Sequence, residues 1–385
     1  MSTHRLKLYR LACAGTLFLA ACGGGGGYGG RSTIMPGFGT PPGMGMGMVA
    51  GASFAATTLV SDLPIANNPY GNGKADTNLI NPWGVAFNPS GFVWLANNGS
   101  STSTLYDGNG APQSLVVSIP PGGAGSARPT GIVFNGHQDF RVTRSGVSGA
   151  SAFIFVGQGG TLSGWSPGVD MTHAITVFDG SGAGAVYTGL AIASQGASDM
   201  LYAADFRHAT VDMFDSSFTK VTVAGTFIDP AVPSGYAPFG IQAIGDLIYV
   251  SYARQDAQAL NAVAGAGLGA VDAFDTSGRL VRRVVPPGGP VDEPWGMAMA
   301  PASFGPFSNA LLVANSGSGT IGAFNPTSGA FMGTLSMSSG SPIVIDGLRG
   351  IAFGNGLNNQ PTNTLFFAAG PGGGTHGIYG RIDVR

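Results

Sequence analysis

Six glycines constrain the architecture of this chain more than any other feature. Gly84, Gly131, Gly189, Gly240, Gly296 and Gly350 recur at spacings of 47, 58, 51, 56 and 54 residues. Each lies in a short apolar segment: PWGVAF, RPTGIVF, VYTGLAI, YAPFGIQ, EPWGMAM and LRGIAF. A second apolar run follows each one (FVWLANN, AFIFVGQ, MLYAADF, LIYVSYA, LLVANSG, TLFFAAG), then a third such as STLYD, TVDMFD or AVDAFD. Strand-rich units at this period indicate a repeat architecture. A glycine inside an apolar strand marks a close backbone approach. A second strand that is apolar throughout is expected where it is buried between neighbouring units. Residues 57–385 divide into six units of about 55 residues, which fits four-stranded blades around an axis. The expected fold is therefore all-β, a six-bladed β-propeller. The sixth unit runs out of chain after three strands, so the run Thr57-Thr58-Leu59-Val60-Ser61 is expected to supply its fourth strand and close the ring.

Composition agrees with many short strands and glycine turns. Only 9% of residues are charged, against roughly 25% in ordinary domains, while 44% are hydrophobic and 66 are glycine. The strong helix formers Glu and Lys are nearly absent: there is one Glu (Glu293), and the lysines are Lys7, Lys74 and Lys220. A net charge of −2 leaves no broad basic surface, so no nucleic-acid partner is expected.

The N-terminal segment carries Arg5, Lys7 and Arg10 before the apolar run LACAGTLFLA, which is too short to span a bilayer. Residues 1–21 have the form of a secretory signal peptide. The sequence Leu19-Ala20-Ala21-Cys22 resembles a bacterial lipobox. The resemblance implies acylation of Cys22, a membrane partner reached through lipid, and, with Gly23 next, an outer-membrane lipoprotein of the cell envelope. Cys13 would leave with the signal peptide, so no thiol would remain for a disulfide or a nucleophile. Residues 22–56 are then the lipidated Cys and a Gly/Met/Pro-rich tether.

The copies PWGVAF, LYAADF and VDMFD resemble the NHL class of six-bladed propellers. Over residues 57–385 the phrases LVSDLP, NPWG, TGIVFN, YAADF, GYAPF, PWGMA and HGIYG are similar to an uncharacterised family of exported bacterial propellers. The resemblance implies fold, not activity. Related propellers include calcium-dependent lactonases and metal-dependent lyases.

In such a blade, the loop entering the first strand and the loop leaving the second share one face. The polar residues there are the candidate ligand-binding set: Asn81, Asn97, Arg128, Asp205, His208, Arg254, Glu293, Asn315, Asp346 and His376. Mixed donors, acceptors and charges suit a small molecule or peptide. Trp83, Phe239 and Trp295, beside the anchor glycines, are read as core. No cofactor is identified. Calcium or another divalent metal would need converging oxygens, for which Glu293, Asp205 and Asp346 are the candidates. Catalytic residues are not assigned, since there is no G-x-S-x-G elbow and the histidines are scattered. The aspartates ending the third strands (Asp107, Asp215, Asp275) read as turn formers. The expectation is a monomeric, lipid-anchored envelope propeller that binds a small molecule, peptide or envelope protein. The alternatives are a metal-dependent hydrolase or lyase with its site at the channel mouth, and a structural scaffold of an envelope complex.

Overall fold

The computed structural model describes residues 53–64, 71, 73–123, 125–195 and 198–385. The expectations for the signal peptide, Cys22 and most of the tether lie outside these residues.

Six sheets form the blades, antiparallel except that the short strand Lys74–Ala75 adds parallel to the N-terminal strand of blade 6. Blade 1 is Pro82–Phe87, Val93–Asn97, Thr102–Tyr106 and Pro112–Ser118. Blade 2 is Pro129–Phe134, Phe153–Gly157, Thr161–Trp165 and Ile175–Asp179. Blade 3 comprises Tyr187–Gln195, Ser198–Asp205, Thr210–Phe214 and Lys220–Val221. Blade 4 comprises Tyr236–Ile244, Leu247–Arg254, Gly269–Asp275 and Leu280–Val285. Blade 5 is Pro294–Met299, Leu311–Asn315, Ile321–Phe324 and Phe331–Thr334. Blade 6 takes Leu348–Phe353, Leu365–Ala369 and Ile378–Val384 from the C-terminal end and Phe54–Ser61 from the N-terminal end.

The closing strand pairs antiparallel with the last one, from Phe54 opposite Val384 to Ser61 opposite Ile378. It begins at Phe54, not at residue 57, so the expected tether runs three residues too far. The physical reason is Phe54 itself. Its ring is buried 5.0 Å from that of Phe304 and stacked 5.8 Å from that of Phe307. An aromatic anchor embedded in a Gly/Ala/Ser context reads as tether until its pocket is seen.

The six anchor glycines hold the ring together. A Cβ on Gly84 would stand 2.6 Å from the Thr130 carbonyl of blade 2, and one on Gly131 2.5 Å from the Leu190 amide of blade 3. Likewise, Gly189 faces Ile241, Gly240 the Trp295 carbonyl, Gly296 the Arg349 carbonyl, and Gly350 the Trp83 carbonyl back in blade 1. Each inner strand thus leans on the backbone of the next, and the sixth leans on the first. In all six blades the register of the first two strands shifts beside the anchor glycine, a bulge or irregularity in the ladder.

Among the described residues, six hydrophobic clusters fill the gaps between blades, one in each, beside a seventh around Trp83, Phe239 and Trp295. Between blades 1 and 2, Trp94 stacks 4.1 Å from Phe153 and packs on Trp165. Between blades 6 and 1, Tyr106 stacks on Tyr379. The second strands of blades 1, 2, 5 and 6 are buried at every residue, as two apolar faces require. Asp107, Asp215 and Asp275 each accept backbone N–H bonds two and four residues ahead, which makes them turn formers.

Candidate functional site at the channel mouth

The residue three before an anchor glycine is bent into the left-handed region at Asn81 (φ 48°), Arg128 (φ 47°) and Glu293 (φ 46°), and at Gly347 (φ 66°). A positive φ is uncommon for a non-glycine residue. Here three blades share it immediately before a proline. The bend is held from behind: the carbonyls of Asn81, Arg128, Glu293 and Gly347 accept from the amides of Asn98, Gln158, Ser316 and Gly370, at 2.8–3.0 Å. With the Val186 carbonyl accepting from the Phe206 amide at 2.9 Å, the same register clamps the end of the second strand to the entrance of the first in five blades. It presents Asn81, Arg128 and Glu293 to one cavity.

That cavity measures about 320 Å³. Trp83, Phe239 and Arg349 line it, with Gln158 and Asp346 among its polar groups. Asn261 and its neighbours from the long loop after Arg254 form part of the wall. Trp83, Phe239 and Trp295, read as core, belong to a buried aromatic cluster that also holds Phe206. Trp83 meets Trp295 and Phe239 edge-on at 5.8 and 5.9 Å. Trp295 donates its indole N–H to the Thr188 carbonyl at 2.8 Å. The Trp83 indole N–H, by contrast, is buried without a hydrogen-bond partner.

Arg349 is the unusual group. Its guanidinium lies 4.6 Å from the centre of the Trp83 ring, a cation–π arrangement. Its Nε is buried and unpartnered, and one Nη makes a long 3.4 Å bond to the Leu348 carbonyl. Among the described residues, no carboxylate pairs with it directly. Burial draws the guanidinium below its usual value, while the fields of Glu293 and Asp346 oppose that pull. Burial likewise raises the Glu293 carboxyl, with Arg349 opposing and Asp292 adding to the rise. Asn81 donates to Asn98 at 3.2 Å, and Asn98 donates to Gln158 at 3.1 Å and to the Arg128 carbonyl at 2.9 Å, so one side of the wall is a fixed amide chain.

The structure therefore brings together Asn81, Arg128, Glu293 and Asp346 of the sequence-derived set. The others are elsewhere. Asn97 is buried and donates to Thr102 and Thr104, and Asn315 takes the Asp292 amide and reaches Thr320. Both tie strand ends together. Asp205 is buried, accepts from the Val186 and His208 amides, and holds the His208 ring at 2.7 Å, lining a separate cleft along blade 3. It is thus not in the cavity with Glu293 and Asp346, and the expected three-carboxylate cation site does not assemble. Arg254 is exposed opposite Tyr236 and outside the cavity, and His376 pairs with Asp62 at 2.9 Å. At the opposite mouth, a bowl of about 400 Å³ is lined by Phe87, Phe134, Ile192, Ile244, Met299 and Phe353, with Gln242 among them, and among the described residues it carries no charged side chain. Among the described residues, no helix is long and apolar enough to cross a membrane.

Fold and site together define a six-bladed β-propeller with a polar, charged cavity at one mouth. The chain belongs to the family of the Acanthamoeba polyphaga mimivirus proteins "Uncharacterized protein R648" and "Uncharacterized protein L690". It is 33% identical to R648 over 335 residues, covering 85% of this chain and 81% of that protein. It is 30% identical to L690, covering 85% and 86%. These relatives are viral, so the bacterial origin expected for the family does not follow from them. No family model matches. Among solved structures, virginiamycin B lyase from Staphylococcus aureus is 13% identical with a TM-score of 0.44, over 86% of this chain and 99% of that one. A streptogramin B lyase is 11% identical with a TM-score of 0.47, over 87% and 99%. At this distance the similarity concerns fold alone.

Proposed function

We propose that the propeller is a binding module whose channel-mouth cavity takes a small molecule bearing a carboxylate. The observation that carries this reading is Arg349, a half-buried side chain at the edge of the cavity whose Nε is out of solvent and unpartnered. Leaving a buried charge uncompensated is costly, and a planar guanidinium matches a carboxylate through two parallel hydrogen bonds. Glu293 and Asp346 then face the donor groups of the same ligand, its ammonium or hydroxyls. The aromatic floor supplies apolar contact. A ligand of this kind is an amino acid, a peptide terminus or a sugar acid. A hydrolase or lyase built on a cation shared by Glu293, Asp205 and Asp346 is not favoured, because Asp205 is committed elsewhere.

Thermal unfolding with a panel of small carboxylates and their neutral amides tests the reading. A ligand at a hundred times its Kd stabilises by about 2.7 kcal/mol. At least one acid is expected to raise Tm where its amide does not. Equal shifts for acids and amides, or none, would count against it.

The same proposal places the protein in the cell envelope as a monomer held by lipid on Cys22. Its support is the basic start, short apolar core and LAAC sequence. Cys22→Ser is expected to move the protein out of the membrane fraction or leave it unprocessed. Unchanged fractionation would refute the anchor without touching the cavity.

A further inference from the structure

The face opposite the cavity carries a second cluster, and we propose that His137, Asp139 and Asp199 form a divalent-metal site that clasps blade 2 to blade 3. One ligand atom from each of the three lies within 4.8 Å of the others. The His137 Nδ1 is in contact with an Asp199 carboxylate oxygen. His137 and Asp139 come from the loop that leaves the first strand of blade 2, and Asp199 from the start of the second strand of blade 3. Their donors are thus held on two different sheets.

Both halves are fixed in advance of any ion. In blade 2, Asn135 accepts from the His137 amide at 3.0 Å, and its own amide group donates to the carbonyls of Asp139 (3.3 Å) and Ser151 (3.0 Å). Phe140, fully buried at φ 48°, anchors the other end of the loop and donates its amide to the Ser216 carbonyl of blade 3. In blade 3, Ser194 donates to one oxygen of the buried Asp199 at 2.6 Å and leaves the other for His137.

The independent observation is Asp139. The residue is half-buried, and its Oδ1 lies out of solvent with no hydrogen-bond partner. A carboxylate oxygen withdrawn from water without a donor is strongly unfavourable. The His137–Asp199 contact does nothing for it. A cation at the convergence point gives Asp139 a partner, replaces His137 as the partner of the second oxygen of Asp199, and accepts the lone pair of a neutral His137. Two carboxylates and one neutral imidazole carry a charge of −2, which matches a divalent ion. The imidazole favours zinc or a similar first-row metal over calcium and magnesium, which prefer all-oxygen shells. His137 is 65% exposed, so solvent can complete the coordination sphere.

Titration of the full chain with Zn²⁺ after chelator treatment tests this by calorimetry and by thermal unfolding. One zinc per chain and a higher Tm are expected. Asp139→Asn, which keeps the side-chain shape, and His137→Ala should each weaken zinc binding at least tenfold. His208→Ala should not. Asp139→Asn without metal should be as stable as the wild type or more so, because the orphaned anion is gone. Zinc affinity unchanged in both ligand variants, no binding at 100 µM, or tighter binding of Ca²⁺ than of Zn²⁺ would each overturn the assignment.

Discussion

Replacing Phe54 with alanine tests the closure of the ring at one side chain. Phe54 is 3% exposed and lies between Phe304 and Phe307, in the cluster that fills the gap between blades 5 and 6. Phe→Ala in a core costs about 3–5 kcal/mol, including the cavity left behind. The stacked partners place this site in the middle of that range or above it. For a domain of this size each kcal/mol lowers Tm by about 2 °C, so Phe54→Ala should lower it by about 8 °C. Thr57→Ala, on the exposed side of the same strand, should stay within about 0.5 kcal/mol of the wild type. Circular dichroism melts of the two variants beside the wild type give the answer. A shift under 2 °C for Phe54→Ala, or equal shifts for both, would mean that the strand is not an integral part of the last blade.

Two further perturbations follow from the same packing. Gly350→Ala drives a Cβ into the Trp83 carbonyl and to 2.9 Å from Val85 Cγ2, so it should destabilise by about 1–3 kcal/mol or more. Gly168→Ala, which meets nothing within 4 Å, should be neutral in the same melt; comparable losses would remove the steric reason for the anchor glycines. Asp272 on blade 4 is pushed up to about 8, first by burial and then by the neighbouring Asp229 carboxylate, with Arg283 opposing. Its protonated form is the one the fold prefers. The stability it lends is therefore whole below its ordinary value of 3.8 and is lost as pH rises towards about 8. Asp272→Asn should gain on the wild type across that window, by on the order of a few kcal/mol at pH 8. Parallel stability curves for the two proteins would refute this.

Much of the fold was legible because close backbone approach leaves a plain signal. Only glycine fits where Gly240 meets the Trp295 carbonyl, and six such positions at one period define the ring. Closure was legible because the last unit lacks a local fourth strand. Within the site, position relative to the anchor glycine identified Asn81, Arg128 and Glu293, since that register is bent towards the mouth in three blades. The same rule misplaced Asn97, Asn315 and Asp205. Their side chains satisfy backbone and hydroxyl partners inside the blade, which polarity alone does not reveal. Arg349 stands next to an anchor glycine, but its place over Trp83 depends on how blades 1 and 6 meet. The His137 cluster had no local spacing to betray it, because its third member arrives 62 residues later on another blade.

Native mass spectrometry of the intact protein from its own host, beside Arg349→Met, tests the central functional claim most directly. The wild type is expected to carry one carboxylate-bearing small molecule per chain, released on mild activation, and the variant to be free of it. An unliganded wild type that also takes up no acid from a supplied panel, or a variant that keeps the same adduct, would contradict the assignment of this cavity.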